Sequence, residues 1–147
     1  MIPCYERKYY ICLYYSSHLF IVSFLYALYR KQYHFSMIPC AIFFTSIHYW
    51  KYPTNSYRRY LDILVVNTTL PYQVYRSTDT KYATLHFVIC LSATSLFPIS
   101  IYFYNKKHHW LSTCLHMSLH ILSNAANIVL YSGQIKTVSS CSISLFK

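Results

Sequence analysis

The chain has 147 residues, 55% of them apolar and only 11% charged, with a single Gly beside 18 Tyr, 9 Phe and 2 Trp. Soluble domains carry about 25% charged residues, so these charges are too few to cover a water-soluble globule, and the apolarity excludes a disordered tail or a collagen. Thirteen Lys and Arg against three acids (Glu6, Asp62, Asp79) give +10, but they fall in short clusters between apolar runs, as residues flanking membrane spans do, and not as a nucleic-acid surface would.

Taken in chain order, Tyr9 to Tyr29 is the first uncharged run, flanked by Arg7-Lys8 and Arg30-Lys31. Its 21 residues reach about 30 Å as a helix, the thickness of a bilayer core. The run is long and ends in bulky Leu28-Tyr29, which reads as an uncleaved anchor rather than a signal peptide. The second run, Phe35 to Trp50, is short for a span and carries Pro39 near its start, where a missing N–H is tolerated. Met37 within it is a candidate internal start, in the repeat Met37-Ile38-Pro39-Cys40 of Met1-Ile2-Pro3-Cys4.

Residues 51–81 hold five basic residues, two of the acids, Pro53, Pro71 and the polar Asn67-Thr68-Thr69, and read as a loop. Inside it Tyr60 to Val66 is apolar but short, a surface helix or the beginning of a fifth span over 60–75. Tyr82 to Tyr104 is a 23-residue uncharged span with Pro98 kinking it, and Trp110 to Tyr131 is a span closed by Gly133. The tail, 134–147, is Ser-rich and read as loose. The expectation is an all-α polytopic transmembrane bundle of about four spans (9–29, 35–50, 82–104, 110–131) in a single domain. Four spans place 9 basic residues on the side of both termini and 4 opposite, so both termini are expected in the cytoplasm, as is the 51–81 loop with its sequon at Asn67. A fifth span would divide them 7 and 6, and the rule would then assign no side.

Six Cys, at 4, 12, 40, 90, 114 and 141, show no Cys-x-x-Cys pair and make neither a disulfide framework nor a zinc ribbon. There is no Gly-x-Ser-x-Gly, no phosphate-binding glycine loop and no His-Glu-x-x-His. The last span carries His116, His120, Asn124 and Asn127 within about 80° of one another, a polar stripe that must face protein or water. Interhelical hydrogen bonding, with Ser112, Ser118 and Ser123 beside it, is its expected role. The rival is a metal pair, since His at i and i+4 present nitrogens to one ion, with further ligands from His48, His86, His18 or Asp62. Asp62, three residues from Arg59, is expected in a surface ion pair, with a buried acid orienting a His or water as the alternative. Arg58-Arg59 are expected at anionic lipid headgroups, and His108-His109 at an interface.

The stretch Ser46-Ile47-His48-Tyr49-Trp50-Lys51-Tyr52-Pro53, then Tyr57-Arg58-Arg59-Tyr60-Leu61-Asp62-Ile63, resembles a pattern of small multi-pass membrane proteins of large DNA viruses and algae, over roughly residues 45–131. That resemblance implies a viral membrane component with no assigned activity. His48, Asp62, His116 and His120 also echo the order of zinc-site residues in membrane hydrolases that include alkaline ceramidases. This second similarity implies a zinc-dependent lipid amide hydrolase with His48, His116 and His120 as ligands and Asp62 orienting the attacking water. Position 44, where that superfamily has Ser, is Phe here, and its seven spans exceed the four expected. The leading expectation is a structural or interaction component of a membrane, with lipid and membrane-protein partners or a homo-oligomer, no nucleic acid, and no cofactor unless the zinc alternative holds. A third option, a small channel using the His and Asn stripe, would need an oligomer to enclose a pore.

Overall fold

A computed structural model describes residues 6–133; the loose tail expected over 134–147 lies outside the described residues. The chain is all-helical, with no strand among the described residues. The segments are α1 (Arg7–Ser17), α2 (Leu19–Tyr29), α3 (Tyr33–Trp50), α4 (Tyr57–Ser77), α5 (Ala83–Asn105) and α6 (His109–Ser132). α1 and α2 make one 23-residue rod, so the bundle has five rods. Two of them, Arg7–Tyr29 and Ala83–Asn105, are long and apolar enough to cross a membrane.

The turn between α1 and α2 has a side-chain cause. His18 Nδ1 lies 3.0 Å from the Tyr14 carbonyl, the acceptor its own N–H would use in an α-helix, and that N–H bonds Tyr15 O instead. Ser16 and Ser17 both donate to Leu13 O, a competition with the backbone that loosens the same turn. Pro39 stands seven residues into α3, deeper than expected, because the helix begins at Tyr33. Its missing N–H frees the Phe35 carbonyl, and the buried Tyr131 hydroxyl of α6 donates to that oxygen at 3.4 Å.

Two turns are closed by lysines in the left-handed region, Lys31 at φ 58° and Lys107 at φ 64°. Each is the C′ residue of a Schellman motif. At the first, Lys31 N–H bonds Leu28 O and Gln32 N–H bonds Ala27 O; at the second, Lys107 N–H bonds Tyr104 O and His108 N–H bonds Phe103 O.

α4 changes the expected topology. Most of the loop expected over 51–81 is a 21-residue helix, about 30 Å long. Its polar residues lower the hydropathy without breaking the helix, because Asp62 and Gln73 turn inward and Thr68 and Thr69 return their hydroxyls to Leu64 and Val65 carbonyls. Contacts at both ends show that it runs the length of the bundle. Asp62 meets Thr45 and Ser46 of α3, whereas Tyr72 stacks on Phe35 at the other end of α3.

The five rods therefore alternate in direction. Tyr9 packs on His109, Ser16 meets His120 and Tyr26 meets Ser132, so α1–α2 runs parallel to α6. Residues 6 and 133 consequently lie at opposite ends of the bundle, where a four-span arrangement would have put them at one end. Two apolar clusters hold the ends, Phe20, Ala27, Phe35, Ile38, Ile42, Leu130 and Tyr131 at one and Leu13, Tyr49 and Trp50 at the other. Between them small apolar residues (Cys90, Ala93, Ala126) mix with buried polar ones, Ser17, Ser23, His86 and Thr113 at 1% exposure or less, while Leu85, Phe87, Val88 and Leu91 of α5 face outward at 50–60%.

Candidate functional site

Helices α3 to α6, with Phe20 of α2, line a partly open cavity of about 380 Å³. α4 contributes Arg59, Asp62 and Gln73, α3 contributes Ser46, Tyr49 and Trp50, α5 contributes Cys90 and Phe97, and α6 contributes His116, His120, Ser123 and Asn127. α5 and α6 pack along their length, whereas α4 touches α5 only sparingly, and this gap between neighbours leaves the space.

Asp62 is held by two hydroxyls. Thr45 Oγ1 and Ser46 Oγ donate to its Oδ1 at 2.8 and 2.7 Å, and its other oxygen has no protein partner among the described residues. The expected ion pair with Arg59 is not made: Arg59 Nη1 donates instead to Asn55 Oδ1 at 3.1 Å. The reason is direction. Asp62 lies against α3, whose hydroxyls reach it first, while Asn55 offers Arg59 an acceptor four residues back.

The polar stripe of α6 divides among three neighbours. His120 Nδ1 lies 2.7 Å from Ser16 Oγ, Ser23 donates to Asn124, and Gln73 Nε2 donates to Asn127 Oδ1 at 2.7 Å and to the Tyr131 hydroxyl at 3.3 Å. His116 alone has no hydrogen bond among the described residues. Its ring packs edge-on against Trp50 (5.2 Å), His120 (5.1 Å) and Phe97 (6.0 Å). Ser112 bonds across to Ser100 O, but Ser118 returns to its own helix at Cys114 O. His109 packs between Tyr9 and Tyr104, and His108 against Phe103.

Of the residues expected to hold zinc or act beside it, Asp62, His116 and His120 reach the cavity and His48 does not. The His48 ring is turned to the outside against Tyr57, with Nε2 3.4 Å from that hydroxyl. Among the described residues no three His, Cys, Asp or Glu side chains stand close enough together to hold a metal ion.

Sequence reasoning passed over one couple, Cys90 with His86. The Sγ lies 3.4 Å from Nε2, and the two sit four apart on α5. The i, i+4 spacing was legible, but nothing in the sequence distinguished it from other polar pairs. His86 is completely buried and bonds no third group among the described residues that would orient it as a base, so the pair lacks the relay that nucleophilic catalysis uses. No family model, no curated protein and no solved structure matches the chain.

Proposed function

We propose that the chain is a multi-pass integral membrane protein, crossing the bilayer with all five rods, and that it serves as a structural or interaction component of that membrane. The observation that carries this reading is the apolar outer side of the bundle, set against polar groups buried within it. Buried Ser, Thr, His and Asn share the interior with the two apolar clusters, while the outward side of α5 is lined with Leu, Phe and Val. Water would select the opposite arrangement, and lipid tolerates hydroxyls only where they are satisfied. Ser92, Thr94 and Ser95 of α5 meet that condition by returning their hydroxyls to carbonyls of their own helix.

A binding role is favoured over catalysis by the way the interior polar groups are used. His120, Asn124, Asn127 and Asp62 are each engaged by a side chain of a neighbouring helix, which is how bundle helices are fixed against one another in a membrane. Arg58 and Arg59, at the start of α4, fall at the level of lipid headgroups in this arrangement.

Elemental analysis of the detergent-purified protein, beside a His116→Ala, His120→Ala double variant, tests the reading. An interaction component is expected to hold no stoichiometric zinc in either form. Zinc present in the parent and lost in the variant would put the lipid amide hydrolase in its place.

A further inference from the structure

We propose that the cavity binds the headgroup of a phosphoethanolamine phospholipid, with the lipid phosphate on Arg59 and its primary ammonium on Asp62. The proposal rests on the membrane reading above and names the ligand of the same bundle.

Arg59 and Asp62 leave one face of α4 three residues apart, a separation of about 5–6 Å at which opposite charges ordinarily pair. They do not pair here, and both line the cavity. Asp62 keeps two neutral contacts, both on one oxygen, and Arg59 keeps one, and each has capacity left over: the second carboxylate oxygen of Asp62, and the guanidinium donors of Arg59 beyond its bond to Asn55. The part-buried Asp62 carboxylate is costly unless it meets an opposite charge, and the half-exposed Arg59 guanidinium beside it has donors to spare. A ligand carrying an anion and a cation one short link apart satisfies both at once.

The identities of the two charges follow from the chemistry of the side chains. A planar guanidinium matches phosphate through paired N–H donors. The unused oxygen of Asp62 is an acceptor that wants an N–H donor, which a primary ammonium has and a quaternary one lacks. The charges also lie at the right level. Arg59 is in the first turn of α4, at the end of the bundle shared with Arg7 and Lys51, while Phe97, Ile101 and Leu119 supply apolar wall for an acyl chain.

The test offers the full-length protein in detergent an equimolar mixture of phosphatidylethanolamine, phosphatidylcholine and phosphatidylglycerol with identical chains. The lipids retained after washing are then measured by mass spectrometry. The parent is expected to keep the ethanolamine lipid about tenfold over the glycerol lipid, the order of one charged contact. Asp62→Asn keeps the acceptor used by Thr45 and Ser46, so it should fold, and it should lose that preference. Arg59→Gln should reduce retention of the ethanolamine and choline lipids alike. Equal retention of all three lipids by the parent, or an unchanged preference in Asp62→Asn, overturns the proposal. Displacement of the lipid by soluble glycerophosphoethanolamine would overturn the assignment to a membrane lipid, since the headgroup alone would then suffice. A protein that keeps no lipid and stays dispersed without detergent would refute the membrane reading itself, a result distinct from lipid retained without preference.

Discussion

The Phe35 carbonyl, Pro39 and Tyr131 form a small unit in which one residue's defect is repaired by another's side chain. Pro39 removes the helix donor for that oxygen, and Tyr131, wholly buried, donates in its place while accepting from Gln73. Tyr131→Phe should therefore destabilise the protein by about 1–2 kcal/mol, seen as a lower unfolding temperature in detergent; no change would mean that the carbonyl is satisfied otherwise. The histidines separate in the same way. His120 is 4% exposed and bonded to Ser16, so His120→Ala should cost about 2 kcal/mol or more. His48 faces outward with one long contact, and His48→Ala should fall within about 0.5 kcal/mol of the parent. Thermal unfolding of the two variants side by side checks both values, and a His48→Ala loss as large as that of His120→Ala would contradict the placement of His48. The stripe of α6 was legible because 3.6-residue periodicity puts its members on one side of a helix. Which helix each member meets was not legible, since Ser16, Ser23 and Gln73 are separated from their partners by 54 to 104 positions.

At the scale of elements, the long uncharged runs are helices, and α5 and α6 begin and end within a residue or two of the stretches expected for them. The chain's shortage of glycine hid its turns. Lys31 and Lys107 occupy left-handed positions that Gly usually fills, so the two Schellman turns carried no sequence signature beyond their charges. α4 was legible only in part, as an apolar stretch over 60–66 that could be a surface helix or the start of a span, for another reason. Hydropathy averages over a helix's faces, and α4 turns Asp62 and Gln73 inward while Tyr60, Leu64 and Tyr75 stand outward at 58–71% exposure, so its mean value conceals a helix as long as its neighbours. The sequon at Asn67 changes meaning with it: the site lies inside a helix at mid-bundle rather than in a loop. Gly133 shows a further constraint that sequence could not supply. A Cβ there would stand 2.9 Å from Thr80 Cβ, so the end of α6 and the turn after α4 meet where only a glycine fits without displacement.

For the molecule as a whole, five alternating rods put the 51–56 turn and the 78–82 turn at opposite ends, whereas a bundle of four crossings with a surface loop would keep both on one side. The membrane reading, the largely apolar cavity beside α4 and the proposed lipid site all depend on α4 crossing with the other rods. The most direct measurement introduces Asn55→Cys and Asp79→Cys singly into a chain whose native cysteines are replaced by Ser. Each variant is labelled in sealed vesicles with a membrane-impermeant maleimide, before and after the membrane is opened. Five crossings predict that one position labels at once and the other only after opening. Labelling of both positions from the same side would contradict the account, for α4 would then lie along the membrane surface and its cavity would no longer be enclosed within the bilayer.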